Sequence, residues 1–220
     1  MNGYLNILGL LILFVLVLSS VLGLYLYPKM NVANKYFVVY ILTSTIIEFF
    51  AKSFANMGIN NLVFFHISVI LDFIILTYFF SHVLGMAGEK ITRWVLALGI
   101  LLFLFNSLWV QTIYTYNSIN LTISGIYLIS CCLWYFYHTI DHQEENMQHT
   151  FTQYAVYSIF ILQFISIMVL FFGNTLLSME KNKQSIIWNV RASIILLVKL
   201  IILFQLIQNW RHLLSSKVKA

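Results

Sequence analysis

Glu48, Asp72 and Lys199 stand inside long apolar runs that read STIIEFFAK, SVILDFIILTYFF and RASIILLVKLIILFQL. In an apolar medium, groups of these types can pair as ions, hold a charged ligand or relay a proton, and each use requires them to face protein instead of hydrocarbon. No acidic residue lies near Lys199 in the sequence, so its partner must come from another segment. The simplest assignment makes Lys199 the positive member of a buried cluster with Asp72 and Glu48. Lys52 joins this intramembrane charged cluster, because Glu48 four residues before Lys52 is the favourable order for a helical pair.

A second set of residues suggests a pocket. Counting 1.5 Å per helical residue places Lys52, His66 and Arg191 about 6–9 Å below one membrane surface. With Trp188 beside Arg191 and His66, this layout would admit a small anionic or zwitterionic molecule above two deeper carboxylates. Structural ion pairing is the first expectation for these groups, and a ligand pocket the second.

His138 and His142 are at i,i+4 in YFYHTIDHQEENMQH, a spacing that lets two imidazoles reach one metal, with Asp141, Glu145 and His149 as further candidate ligands. The same residues fit a helix end at the membrane edge, where a charged imidazole is favoured by the helix dipole. The second reading is preferred, and no cofactor is expected. The chain contains no GxSxG, HExxH or glycine-rich phosphate loop. Seven-helix membrane hydrolases carry histidines in their seventh span, whereas here His212 falls beyond it. Serines and threonines in the apolar runs are read as interhelical hydrogen bonders. An enzyme is therefore the lesser reading.

The elements that position these groups follow from composition. The chain has 220 residues, of which 61% are hydrophobic and 9% charged, with a mean hydropathy of +0.89. Soluble domains carry roughly a quarter charged residues, so this chain lacks the means to make a soluble surface. Its apolar runs are long enough for a hydrocarbon core of about 30 Å. The short alternating segments of a membrane β-barrel are missing. The expected class is all-α: a polytopic membrane protein with a single transmembrane domain over residues 1–220. The adjacent Cys131 and Cys132 diverge by about 100° on a helix and read as buried small hydrophobes, not as a disulfide framework. The net charge of +5 comes from scattered residues and suggests loops facing anionic lipid, with no direct nucleic-acid partner.

Seven spans are expected at roughly 4–27, 37–57, 62–84, 91–110, 115–139, 152–173 and 185–209. Asn106 and Ser107 interrupt the fourth. The first lacks a positive n-region and a small-residue cleavage site, which favours an uncleaved span. Polar stripes run along the second (Ser44, Glu48, Lys52, Asn56), the third (Asn61, Ser68, Asp72) and the fifth (Asn117, Asn120, Ser124, Tyr127, Cys131, Tyr135, His138, His142). These faces should turn inward, since lipid leaves polar groups unsatisfied. Lys29, Lys35, Lys90, Arg93, Arg211, Lys217 and Lys219 collect on one side, and Lys181 and Lys183 on the other. The positive-inside rule then gives an N-out, C-in topology. Trp188 and Trp210 fall near the two ends of the last span, where interfacial tryptophans belong.

A lysine in a seventh span facing an aspartate in a third resembles retinal proteins, but the sixth span has no tryptophan and the likeness ends there. Three segments resemble a loosely defined group of short bacterial seven-helix membrane proteins without established function. They are NLVFFHISVILDFIILTYFF, YNSINLTISGIYLISCCLWYFYHTI and IIWNVRASIILLVKLIILFQLIQNW, about a third of the chain. The resemblance implies an inner-membrane protein with His66, Asp72, Trp188 and Lys199 as functional positions. Lys199 departs from the group, whose final span is usually uncharged. Length and makeup are also similar to small multi-pass accessory proteins encoded in RNA-targeting CRISPR loci.

The resulting expectation is a non-enzymatic sensor or signalling and accessory protein of the bacterial inner membrane. It would act through a protein partner or by self-association. The alternatives are a membrane effector or pore of a CRISPR-type defence system, and an intramembrane lipid-modifying enzyme. Reporter fusions should place the N-terminus outside and the C-terminus in the cytoplasm. Two termini on the same side would remove the seven-span arrangement.

Overall fold

The apolar runs form seven helices in a computed structural model, which describes residues 2–86, 89–115, 117–139, 147–171 and 181–218. They are α1 (Asn2–Leu26), α2 (Val32–Asn56), α3 (Leu62–Val83), α4 (Lys90–Phe105), α5 (Ser118–Thr139), α6 (Met147–Phe171) and α7 (Lys181–Val218). All seven are long and apolar enough to cross a membrane, α4 together with the π turn that continues it to Val110. No strand occurs among the described residues.

Several boundaries depart from the hydropathy reading for local reasons. The α2 helix starts at Val32, five residues before the expected span, because Asn31 caps it by accepting from the Asn34 amide at 2.8 Å. The Asn34 side chain is then buried and accepts a hydrogen bond from Thr152 of α6 at 2.9 Å. A polar start is thus compatible with a protein-facing helix. The connectors after α2 and α3 turn at Gly58 and Gly85, whose φ angles of 71° and 70° favour glycine. These two glycines mark the opposite ends of the bundle. The interruption at Asn106 and Ser107 is a π turn, Asn106–Val110, that carries both side chains into the interior.

Neighbouring helices close into a ring in the order α1, α2, α3, α5, α6, α7, with α7 packed back against α1. The α4 helix stands outside this ring, against α3. Small and polar residues join the pairs, as expected where lipid gives no hydrophobic drive between helices. The Ser20 and Thr45 hydroxyls meet at 2.8 Å between α1 and α2. At α4, a Cβ on Gly99 would stand 2.5 Å from Cζ of Phe73, so only glycine allows this approach. The Phe73 ring is itself held by Phe103 at 4.9 Å and Tyr127 at 5.3 Å, centroid to centroid.

The half of the ring toward Gly85 is filled by apolar side chains. Phe37 lies 5.8 Å from Phe79 and 5.9 Å from Phe151, and Leu76, Leu128, Cys132, Ile159 and Leu206 are buried beside them. Outward faces carry large apolar groups such as Leu10, Phe14, Val21, Leu98, Leu101 and Phe105, which suits contact with lipid.

Gly99→Ala tests the close approach of α4. Helix propensity alone would favour alanine by about 1 kcal/mol, but the immobile Phe73 ring makes a net loss of about 1–3 kcal/mol the expected outcome in thermal unfolding. Adding Phe73→Leu should recover part of it. A stabilising Gly99→Ala change would show that α4 does not dock there.

Candidate functional site

In the half of the ring toward Gly58 the helices do not fill the centre, and a cavity of about 210 Å³ remains. All six ring helices line it, and α4 contributes nothing. The lining follows i,i+4 ridges, because residues four apart share one helical face. The α2 helix presents Tyr40, Ser44 and Glu48, α3 presents Ser68 and Asp72, and α7 presents Arg191, Ile195 and Lys199. Ile12 and Leu16 of α1 form an apolar wall, α6 adds Gln163 and Ser166, and Asn117 enters from just before α5. Tyr40 and Lys199 are at the deep end, above the aromatic plug. Phe64 and Asn117 are at the first turns nearest Gly58.

The charges face one another without touching. Among the described residues, no lysine or arginine nitrogen lies within 4.0 Å of the Glu48 or Asp72 carboxylate. Lys199 is 6% exposed, and its ammonium stands 5.2 Å from the Tyr40 ring centroid, a cation–π distance. It interacts electrostatically with Asp72 and with Glu48. The direct ion pair expected for Lys199 is therefore replaced by attraction across the cavity. Asp72 Oδ2 accepts from the Ser68 hydroxyl at 3.1 Å, while Oδ1 is buried with no partner. Arg191 lies 5.5 Å from the Trp188 ring centroid, and its Nε is buried without an acceptor. Gln163 Oε1 and both polar atoms of Asn117 are buried and unpartnered as well. Buried polar groups are ordinarily satisfied, and five of the eleven unpartnered buried side-chain atoms among the described residues border this cavity, where water or a polar ligand would satisfy them.

The other residues singled out from the sequence are placed elsewhere. Lys52 interacts with Glu48 but does not line the cavity. Its ammonium is buried against α1, 3.1 Å from where a Gly9 Cβ would be. Trp188 is on the outer side of Arg191 and is partly exposed. His66 is buried and is not part of the lining. Its Nε2 lies 3.0 Å from the Thr115 carbonyl and its Nδ1 2.9 Å from the Ser107 hydroxyl. A carbonyl can only accept, so Nε2 carries the proton and Ser107 donates to Nδ1. Asn120 in turn donates to Ser107 Oγ at 3.1 Å and to the Phe103 carbonyl at 3.1 Å. This network ties the π turn and the following loop to α3 and α5. Ser107 and His66 have the spacing of a nucleophile and its base, but both are buried and neither borders the cavity.

His138 is exposed, and its ring lies tilted against that of Trp134 with the centroids 5.1 Å apart. His142, Asp141 and Glu145 lie outside the described residues, as does the side chain of His149. Among the described residues no three His, Cys, Asp or Glu side chains converge. The α5 stripe turns inward from Asn117 to Tyr135 and is exposed at His138, and its last member, His142, lies outside the described residues. Tyr40, Gln163 and Ser166 are lining residues that sequence reasoning missed. Tyr40 precedes Ser44 by four residues and so extends the α2 stripe, which was the available signal.

Comparison of the chain with protein-family models, with characterised proteins and with solved structures finds no match to any of them. The functional reading therefore rests on the cavity itself.

Proposed function

We propose that this chain is a non-enzymatic sensor or accessory protein of a bacterial inner membrane, in which the cavity receives a small polar ligand from the Gly58 end. Ligand occupancy would be passed to a protein partner or to a second copy through the helices of the ring. One observation supports this reading most. A cavity with two carboxylates, two cations and several unpartnered polar atoms is closed toward Gly85 by the Phe37–Phe79–Phe151 plug. A blind polar cavity suits binding better than conduction, because a pore needs a polar path through the whole membrane.

The geometry supports the alternatives less well. A lipid-modifying enzyme would bring His66 together with Glu48 and Asp72, yet Ser107 and Thr115 occupy both nitrogens of that ring. A pore or effector would need the plug to open.

Cysteine labelling separates these readings. In a Cys131→Ser background, Ser68→Cys should react with a small cationic methanethiosulfonate reagent supplied from the Gly58 side. The native Cys132, buried in the plug, should stay unmodified in the same folded protein. An inert Ser68→Cys would rule out a ligand-accessible cavity, and a modified Cys132 would favour a continuous path and hence the pore.

A further inference from the structure

The charges of the cavity alternate in sign along its depth. Lys199, over the Tyr40 ring, lies deepest, while Asp72 and Glu48 are about 15 and 12 Å in from the Gly58 ends of α3 and α2 at 1.5 Å per residue. Arg191 is eight residues nearer the Gly58 end of α7 than Lys199, about 12 Å at 1.5 Å per residue. Its charge of +1 therefore sits at the shallow level, with Asn117 also at that end. The open hydrogen-bonding capacity divides in a compatible way. Asp72 Oδ1 and Gln163 Oε1 are acceptors, Arg191 Nε is a donor, and Asn117 offers one of each from a side chain that is 2% exposed. Among the residues that line the cavity the formal charges cancel, with Lys52 a further cation outside the lining. A ligand carrying both signs would find a partner for each of them in this medium of low dielectric.

We infer that the ligand is a small zwitterion of the amino-acid class, held with its ammonium toward Asp72 and Glu48 and its carboxylate toward Arg191 and Asn117. This rests on the cavity being the ligand site, as proposed above, and narrows it to one chemical class and one orientation. Size agrees, because the cavity has the volume of about seven water molecules, which suits a compact amino acid and excludes a lipid. Lys199 has a positioning part here. It offsets part of the charge of the two carboxylates from the deep end of the cavity.

The test uses the purified full chain in nanodiscs, with binding read by calorimetry and by thermal shift. The probes are alanine, β-alanine and γ-aminobutyrate, set against butyrate and butylamine as the separated charges. At least one zwitterion should bind, at least about tenfold more tightly than butyrate or butylamine. Arg191→Gln should weaken that zwitterion by about tenfold or more and narrow its advantage over butylamine. Asp72→Asn should weaken it similarly and narrow its advantage over butyrate. Folding of each variant is checked by its unfolding transition without ligand. Butyrate or butylamine binding as tightly as every zwitterion would overturn the inference, and so would no binding by any of the five probes. In both cases a reactive Ser68→Cys would leave the cavity reading standing. An inert one would remove both.

Discussion

Two carboxylates and two cations line the cavity of a bundle whose outer faces are apolar, and each would cost about 2.5–3.5 kcal/mol if left at the centre of a bilayer. Much of the architecture can be derived from that cost. Glu48, Asp72, Arg191 and Lys199 come from three helices, so α2, α3 and α7 must turn their charged ridges toward a common centre. Three further helices complete the enclosure, and α1 meets α7 to close it. The α4 helix brings no charge into the bundle interior and stands outside, docked through Gly99 and Phe73. Because the charges attract across a space instead of touching, the ring keeps a cavity where a soluble protein would pack a core.

The two halves of the ring divide the work. Toward Gly85, interlocking phenylalanines fix the spacing of α2, α3 and α6 and supply the dispersion contacts that hold helices together in lipid. Toward Gly58, the same helices are held apart, and their separation is set from outside the cavity. The Ser20–Thr45 contact ties α1 to α2. The His66–Ser107–Asn120 network ties the π turn to α3 and α5. These polar ties have few competing partners in hydrocarbon, so they can fix helix positions without filling the space between them. In the proposed sensing role, a change at the cavity wall would move a helix against this apolar base.

Membrane class and span number were legible in the sequence because hydropathy reports directly on what faces lipid. The inward turn of the α5 stripe was legible for the same reason, from Asn117 to Tyr135. The ring order was not, since nothing in a single helix records which neighbours it meets or that α4 is left outside. Lys199 could be recognised as an internal residue, but its distance from Asp72 and Glu48 depends on how six helices are spaced. His66 looked like a pocket residue from its depth alone. Its actual partners, Ser107 and the Thr115 carbonyl, are brought to it by a π turn and a loop that hydropathy cannot see. Ser166 reads as an ordinary interhelical hydrogen bonder, and both it and Gln163 acquire meaning only from the cavity beside them.

The central claim is that the four charges compensate one another across the cavity as a set. The most direct measurement is thermal unfolding of charge-removing variants singly and in neutral pairs: Lys199→Met with Asp72→Asn, and Arg191→Gln with Glu48→Gln. Each single change unbalances the charges that line the cavity and should lower stability. Each neutral double should be more stable than the sum of its single changes by at least about 1 kcal/mol, a coupling expected of interacting charges. Doubles that equal the sum of their singles within about 0.5 kcal/mol would show independent charges and contradict the account.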